Sequence, residues 1–154
     1  MPDQPTRALS PVQAQRIDVA RRFFELLHRK DVDAWSELWA DDARILVFYP
    51  PRGFPDVITP KKEIVSGFRN LIGTFESFDA DITGIYPAAD SDAVCVEYDV
   101  RATIRGGATY TNRNIAIFRY RDGLISTYHD YFDPRRFQIV VDALAARASS
   151  DGNR

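Results

Sequence analysis

Between Ala93 and Phe132 the chain runs through three long segments of alternating apolar and polar residues, separated only by Gly106-Gly107 and Asp122-Gly123. Alternation with a period of two marks strands with one covered face, and turns this short permit only antiparallel hairpins. Ala93 to Arg105, Thr109 to Tyr120 and Leu124 to Phe132 therefore form a meander. An earlier alternating run, Asp79 to Tyr86, leads into it through the turn residues Asp90-Ser91-Asp92. A dense β-type run, Arg44 to Tyr49, stands apart, nearer the N-terminus.

The strands need a cover, and the helical segments supply it. Ser10, Pro11 and Gln13 make a cap, a first helical position and a capping-box partner. Ile17, Ala20, Phe23, Phe24 and Leu27 follow at helical spacing, predicting a helix over 11–29. Asp31 or Asp33 caps a short second helix carrying Trp35, Leu38 and Trp39, which Asp41-Asp42 ends. Pro50 to Pro55 is an aromatic and proline-rich loop suited to the rim of a cavity. Thr59-Pro60 and Asp133-Pro134 repeat the cap-plus-proline start. They open helices striped by Ile64, Phe68, Leu71, Ile72 and Phe75, and by Phe137, Val140, Val141 and Leu144. The order α-α-β-α-β-β-β-β-α predicts an α+β fold, one curved antiparallel sheet with helices packed into one face to make a cone. Residues 1–9 read as a disordered lead, 10–147 as one domain, and 148–154 as a frayed tail.

At 154 residues, 45% hydrophobic, the chain can bury a sizeable core without staples. A net charge of −2 gives no reason to expect a nucleic-acid partner. Cys95 stands alone in a strand and reads as a structural thiol. Met1 to Ser10 lacks the apolar core of a signal peptide, and no run approaches ~18 apolar residues, so neither export nor a membrane span is expected. The expected location is cytoplasmic. Two histidines, His28 and His129, lack the spacing of a metal site, and no phosphate loop, nucleophile elbow or paired-cysteine motif occurs. No metal or cofactor is expected.

Strand parity sorts the remaining candidates. In the last strand Leu124, Ser126, Tyr128, Asp130 and Phe132 share one face, and His129 lies on the other. In the strand before, Tyr110, Asn112, Asn114, Ala116 and Phe118 share a face. In the first of the three, Cys95, Glu97, Asp99, Arg101 and Thr103 oppose Val94, Val96, Tyr98, Val100 and Ala102. Either Glu97, Asp99 and Arg101 form a solvated face, or they line a cavity while the valine face meets a partner; periodicity leaves both open. Asp130 is the sharper case. Burial beside Tyr128 and Phe132 would raise its pKa and let it exchange a proton near neutral pH, with Arg101, Asn112 or Asn114 holding a substrate oxygen.

Phe23-Phe24-Glu25-Leu26-Leu27, Asp33 to Ala43, Tyr110 to Asn114, Phe118 to Ile125 and Tyr128 to Pro134 together resemble SnoaL-like proteins of the nuclear-transport-factor-2-like superfamily over roughly residues 12–146. The resemblance implies a cone-shaped α+β barrel, usually a homodimer through the outer sheet face, with a deep apolar pocket into which Glu97, Asp99 and Asn114 turn. Asp130 matches the acid/base aspartate of SnoaL-like polyketide cyclases, whose assisting histidine would fall at Ala116. Asp99 and Asp130 also match two acids of limonene-epoxide-hydrolase-like proteins, whose arginine would fall at Glu97 and whose water-holding Tyr and Asn would fall at Ile45 and Val47. The implied function is cofactor-free cyclisation or isomerisation of a polyketide-like or other apolar carbonyl compound. Asp130 and Asp99 would be catalytic, with Arg101, Asn112, Asn114, Tyr128, Glu97, Phe48 and Phe118 around the substrate. The alternatives are epoxide opening by the Asp99/Asp130 pair, or a non-catalytic ligand-binding or assembly subunit.

Overall fold

The computed structural model describes residues 7–153. Positions 1–6 of the expected N-terminal lead lie outside the described residues. The elements are α1 (Pro11–His28), α2 (Val32–Ser36), β1 (Trp39–Val47), β2 (Val57–Ile58), α3 (Lys61–Gly73), β3 (Phe75–Pro87), β4 (Val94–Ile104), β5 (Thr109–Arg121), β6 (Leu124–Tyr131) and α4 (Pro134–Asp151).

The six strands form one curved, unclosed sheet in the order β2-β1-β6-β5-β4-β3. Strands β3 to β6 pair antiparallel, as their short turns require. The β5–β6 turn places Asp122 at φ 51° and Gly123 at φ 83°, the left-handed pair that suits the twist of a tight hairpin. Strand β1 then joins β6 in parallel, with Ile45 opposite Tyr128 and Val47 opposite Asp130. That pairing brings the N-terminal half of the chain to the edge of the meander.

Helix starts follow local chemistry at three ends and depart from it at the fourth. Ser10 and Gln13 form a full capping box, Asp31 accepts from the Ala34 amide, and Asp133 accepts from the Arg135 amide. At α3, Pro60 is the cap and offers no side-chain hydrogen bond. The Thr59 hydroxyl instead donates to the Ala43 carbonyl at 2.7 Å, tying the helix approach to β1. The second helix is also shorter than its apolar spacing predicts. It ends at Ser36, and Trp39 begins β1 rather than completing a helical stripe.

The core lies between the concave sheet face and the helices. Phe23 of α1 is its centre, stacked on Tyr128 at 5.0 Å and edge-on to Phe118 at 5.1 Å. Trp35 is fully buried and stacks on Phe68 of α3 at 4.6 Å. Such ring pairs add directional packing to their burial, and losing one large ring from a core costs about 3–5 kcal/mol.

In β4 the buried face is Val94, Val96, Tyr98, Val100 and Ala102. The expectation that Glu97, Asp99 and Arg101 turn into the cavity is thereby corrected. Turning them in would push five apolar side chains into water and desolvate three charges, and a strand cannot rotate one residue without its neighbours. Glu97 and Arg101 are exposed, and Asp99 pairs with the outward-facing Arg113 at 3.3 Å. Phe48 is likewise outside. It follows the inward Val47, is half exposed, and stacks on Tyr131 beside His129 on the outer surface.

Candidate active site

The concave face, α1, α3 and the start of α4 enclose a cavity of about 70 Å³. Its wall is mostly aromatic and aliphatic, and its polar side chains are Tyr98, Tyr110, Asn114, Tyr128 and Asp130. All five come from β4, β5 and β6, and cross-strand register explains their convergence. Tyr98 stands opposite Asn114, Ala116 opposite Asp130, and Phe118 opposite Tyr128. The small Ala116 occupies the middle of this inner face, leaving room for larger side chains to meet across it.

The Tyr98 hydroxyl is the hub. It donates to Asp130 Oδ1 at 3.2 Å, receives Asn114 Nδ2 at 3.2 Å, and lies 3.2 Å from the Tyr128 hydroxyl. Asp130 is partly buried as a residue, and it lines the apolar cavity. Burial raises its carboxyl from 3.8 to about 7, and the hydrogen bond from Tyr98 holds back part of the rise. Burial pushes the Tyr98 and Tyr128 phenols well above their ordinary range, with the nearby Asp130 charge acting in the same direction. Both phenols therefore keep their protons wherever Asp130 titrates. An acid that changes charge near neutrality, next to fixed hydroxyl donors in an apolar hollow, is equipped to take a proton from a weak carbon or oxygen acid and return it.

The expected site residues divide by strand. Asp130, Asn114 and Tyr128 line the cavity. Phe118 lies fully buried behind it, edge-on to Tyr128 at 5.0 Å. Asn112 is buried as a strut: its Oδ1 accepts from the Arg113 and Asp133 amides, and its Nδ2 donates to the Tyr110 hydroxyl and the Asp133 carbonyl. Glu97, Asp99, Arg101 and Phe48 stand on the outer face, so the acidic pair of Asp99 and Asp130 does not assemble. His129 faces outward between Phe48 and the solvent, with its pKa lowered by partial burial and by Arg119.

Two members of the polar group, Tyr98 and Tyr110, are absent from the sequence-derived set. For Tyr98 the available signal was a tyrosine on an otherwise valine face, and for Tyr110 an asparagine two residues along the same face, since a buried phenol needs a partner. The partners of Tyr98, which are Asn114, Tyr128 and Asp130, lie on other strands and are visible only in the folded register, whereas Tyr110 takes its partner Asn112 from two residues along β5.

Known proteins share this fold. The uncharacterized protein YesE of Bacillus subtilis (strain 168) is 29% identical over 118 residues, covering 76% of this chain and 80% of the relative. The solved structure named "Putative Isomerase from Bacillus subtilis" is 26% identical, with a TM-score of 0.77 over 87% of this chain and 97% of that one. A Mycobacterium tuberculosis protein solved in complex with estradiol-17beta-hemisuccinate shares the fold, with a TM-score of 0.72 and 19% identity over 79% of this chain and 96% of that one. Among the described residues no helix is long and apolar enough to cross a membrane. The SnoaL-like domain model matches residues 20–128, and the chain belongs to that family.

Proposed function

We propose that this protein is a cofactor-independent acid/base enzyme that moves a proton on a small, largely apolar carbonyl compound, as in isomerisation or ring closure. The observation that carries the reading is the Asp130 carboxyl, raised to about 7 inside an aromatic cavity and held by Tyr98. As a carboxylate it takes a proton from the carbon next to the carbonyl; as the acid it returns that proton to a second position. The apolar wall excludes water and favours a neutral, compact substrate. The cavity volume of about 70 Å³ restricts the ligand to a few heavy atoms unless the aromatic wall parts to admit more. Support also comes from the neighbour named as an isomerase. Epoxide opening by two acids loses its structural support, because Asp99 sits on the opposite face of the sheet.

The test is deuterium exchange at the acidic carbon positions of small cyclic ketones and enones in heavy water, followed by NMR. Wild type is expected to speed exchange, and Asp130→Asn is expected to lose roughly 10²–10⁴ of the rate. A folded Asp130→Asn variant that exchanges as fast as wild type would overturn the reading.

A further inference from the structure

Hydrogen-bond accounting around the cavity assigns nearly every polar proton. One phenol proton remains over. Each phenol has a single proton to give. With Asp130 ionised, the Tyr98 proton goes to Asp130 Oδ1. The short contact between the two phenols is then made by Tyr128, whose proton goes to the Tyr98 oxygen. Asn114 must present Nδ2 to that same oxygen, because Tyr98 has no second proton for an amide oxygen. Asn114 Oδ1 is left buried without a partner among the described residues, but it is an acceptor and cannot steady negative charge.

Tyr110 differs. Asn112 has no freedom of orientation: its Oδ1 takes two backbone amides, Arg113 at 2.9 Å and Asp133 at 3.2 Å. Its Nδ2 therefore faces Tyr110 and donates to the hydroxyl oxygen at 2.9 Å. Tyr110 is thus fixed as an acceptor toward Asn112, and its own proton has no acceptor among the described residues. Its ring is clamped between Phe75, stacked at 6.4 Å, and Phe137, edge-on at 5.8 Å. The side chain is 4% exposed and lines the cavity that holds Asp130.

We propose that Tyr110 is a second catalytic residue, whose uncommitted hydroxyl proton binds the substrate carbonyl oxygen, and that Asn112 is the positioning residue that keeps this proton free. The inference rests on the proton-transfer reading above. When the Asp130 carboxylate removes the proton next to the carbonyl, the C–H electron pair becomes the new C=C bond. The carbonyl π pair moves onto oxygen. The Tyr110 O–H bonds the enolate oxygen, and the proton held on Asp130 returns to a second carbon, restoring the carboxylate. No oxidant or further reactant is needed. A fixed donor in an apolar site acts most strongly on charge that develops during the reaction.

Cyclopent-2-enone, at concentrations that saturate the cavity, serves as the probe for two readouts. One is the deuterium exchange rate of its ring protons; the other is the infrared carbonyl stretch of the bound enone. In wild type the stretch should fall below its value in an apolar solvent. Tyr110→Phe keeps the stacked ring, and should restore the stretch and lower exchange by roughly 10²–10³-fold. Asn112→Asp supplies the control for position. Its carboxylate faces Tyr110 as an acceptor and captures the proton, so it should reproduce both effects with the phenol still present. Exchange and carbonyl stretch both unchanged in a folded Tyr110→Phe overturn the assignment while leaving Asp130 untouched. Wild type that shifts the stretch but catalyses no exchange overturns the proton-transfer reading, and a shift lost in Tyr110→Phe then still supports the contact. A wild-type stretch equal to that in apolar solvent counts against the donor.

Discussion

Replacing Asp130 with Asn should make the protein more stable above neutral pH while removing its proton carrier. In the folded protein the carboxyl titrates at about 7 rather than 3.8, because burial penalises its charge more than the Tyr98 hydrogen bond favours it. Below the lower value both folded and unfolded chains hold the proton, and the group has no effect on stability. Between the two values the folded chain still binds a proton that the unfolded chain has released. Stability therefore falls as pH rises, by about 1.4 kcal/mol per unit. Above about 7 both states are ionised, and the accumulated loss levels off at about 4 kcal/mol. Asparagine carries no charge at any of these pH values, has nearly the same shape, and can accept the Tyr98 hydrogen bond. The difference between variant and wild type should thus be small near pH 4 and grow to about 4 kcal/mol near pH 8, equivalent to a melting shift on the order of 10 °C. Urea unfolding of both proteins across that range, followed by circular dichroism, measures the difference directly. Other titrating groups cancel because they are common to both. Parallel profiles, with a constant gap from acid to neutral pH, would show that Asp130 has an ordinary carboxylate pKa. They would refute its assignment as a proton carrier near neutrality.

Tyr98→Phe removes the hydrogen bond that holds down the Asp130 pKa. The inflection in exchange rate against pH should move upward, and an unmoved inflection would mean that the bond does not tune the acid. Asp99→Asn breaks only an outer-face ion pair with the exposed Arg113. Urea unfolding should register less than about 1 kcal/mol, and ketone exchange should not change; a large loss of exchange would return Asp99 to the site. Asn112→Ala strips partners from the Arg113 and Asp133 amides and from the Asp133 carbonyl at the start of α4. It should cost about 1–3 kcal/mol in urea unfolding, since buried groups left unpaired pay their desolvation in full. Phe23→Ala opens the centre of the aromatic core and should cost about 3–5 kcal/mol by the same measurement.

Most of the fold was legible because local rules agree with the global one. Ser10, Asp31 and Asp133 cap helices where their spacing says they should. Gly and Asp pairs close hairpins whose strands alternate cleanly. The misread stretch around Trp35 and Trp39 is instructive. Two tryptophans four residues apart fit a helical stripe, yet they meet edge-on at 5.3 Å across a helix end and a strand start. Aromatic contact thus arises from either geometry, and spacing alone does not separate them. The parallel pairing of β1 with β6 was also out of reach, because no short turn links strands so far apart in the chain.

The sequence by itself determined that a four-stranded meander would carry Asp130, Tyr128 and Asn114 on particular faces, since parity along a strand is a local property. Only the tertiary structure decided which face is inside. In β4 the valine strip took the core and carried Tyr98 inward with it, leaving Glu97, Asp99 and Arg101 in solvent. The physical reason is cooperative: a strand turns all its side chains together, and the buried face is the one whose desolvation costs least. The chemistry then follows from register. Tyr98, Asn114 and Asp130 lie on three strands, and Asn112 ties Tyr110 to the start of α4. No spacing in the chain encodes the Tyr98 part of that network, because its bonds join residues brought together only when the sheet has formed, whereas the Asn112–Tyr110 bond is local to one face of β5.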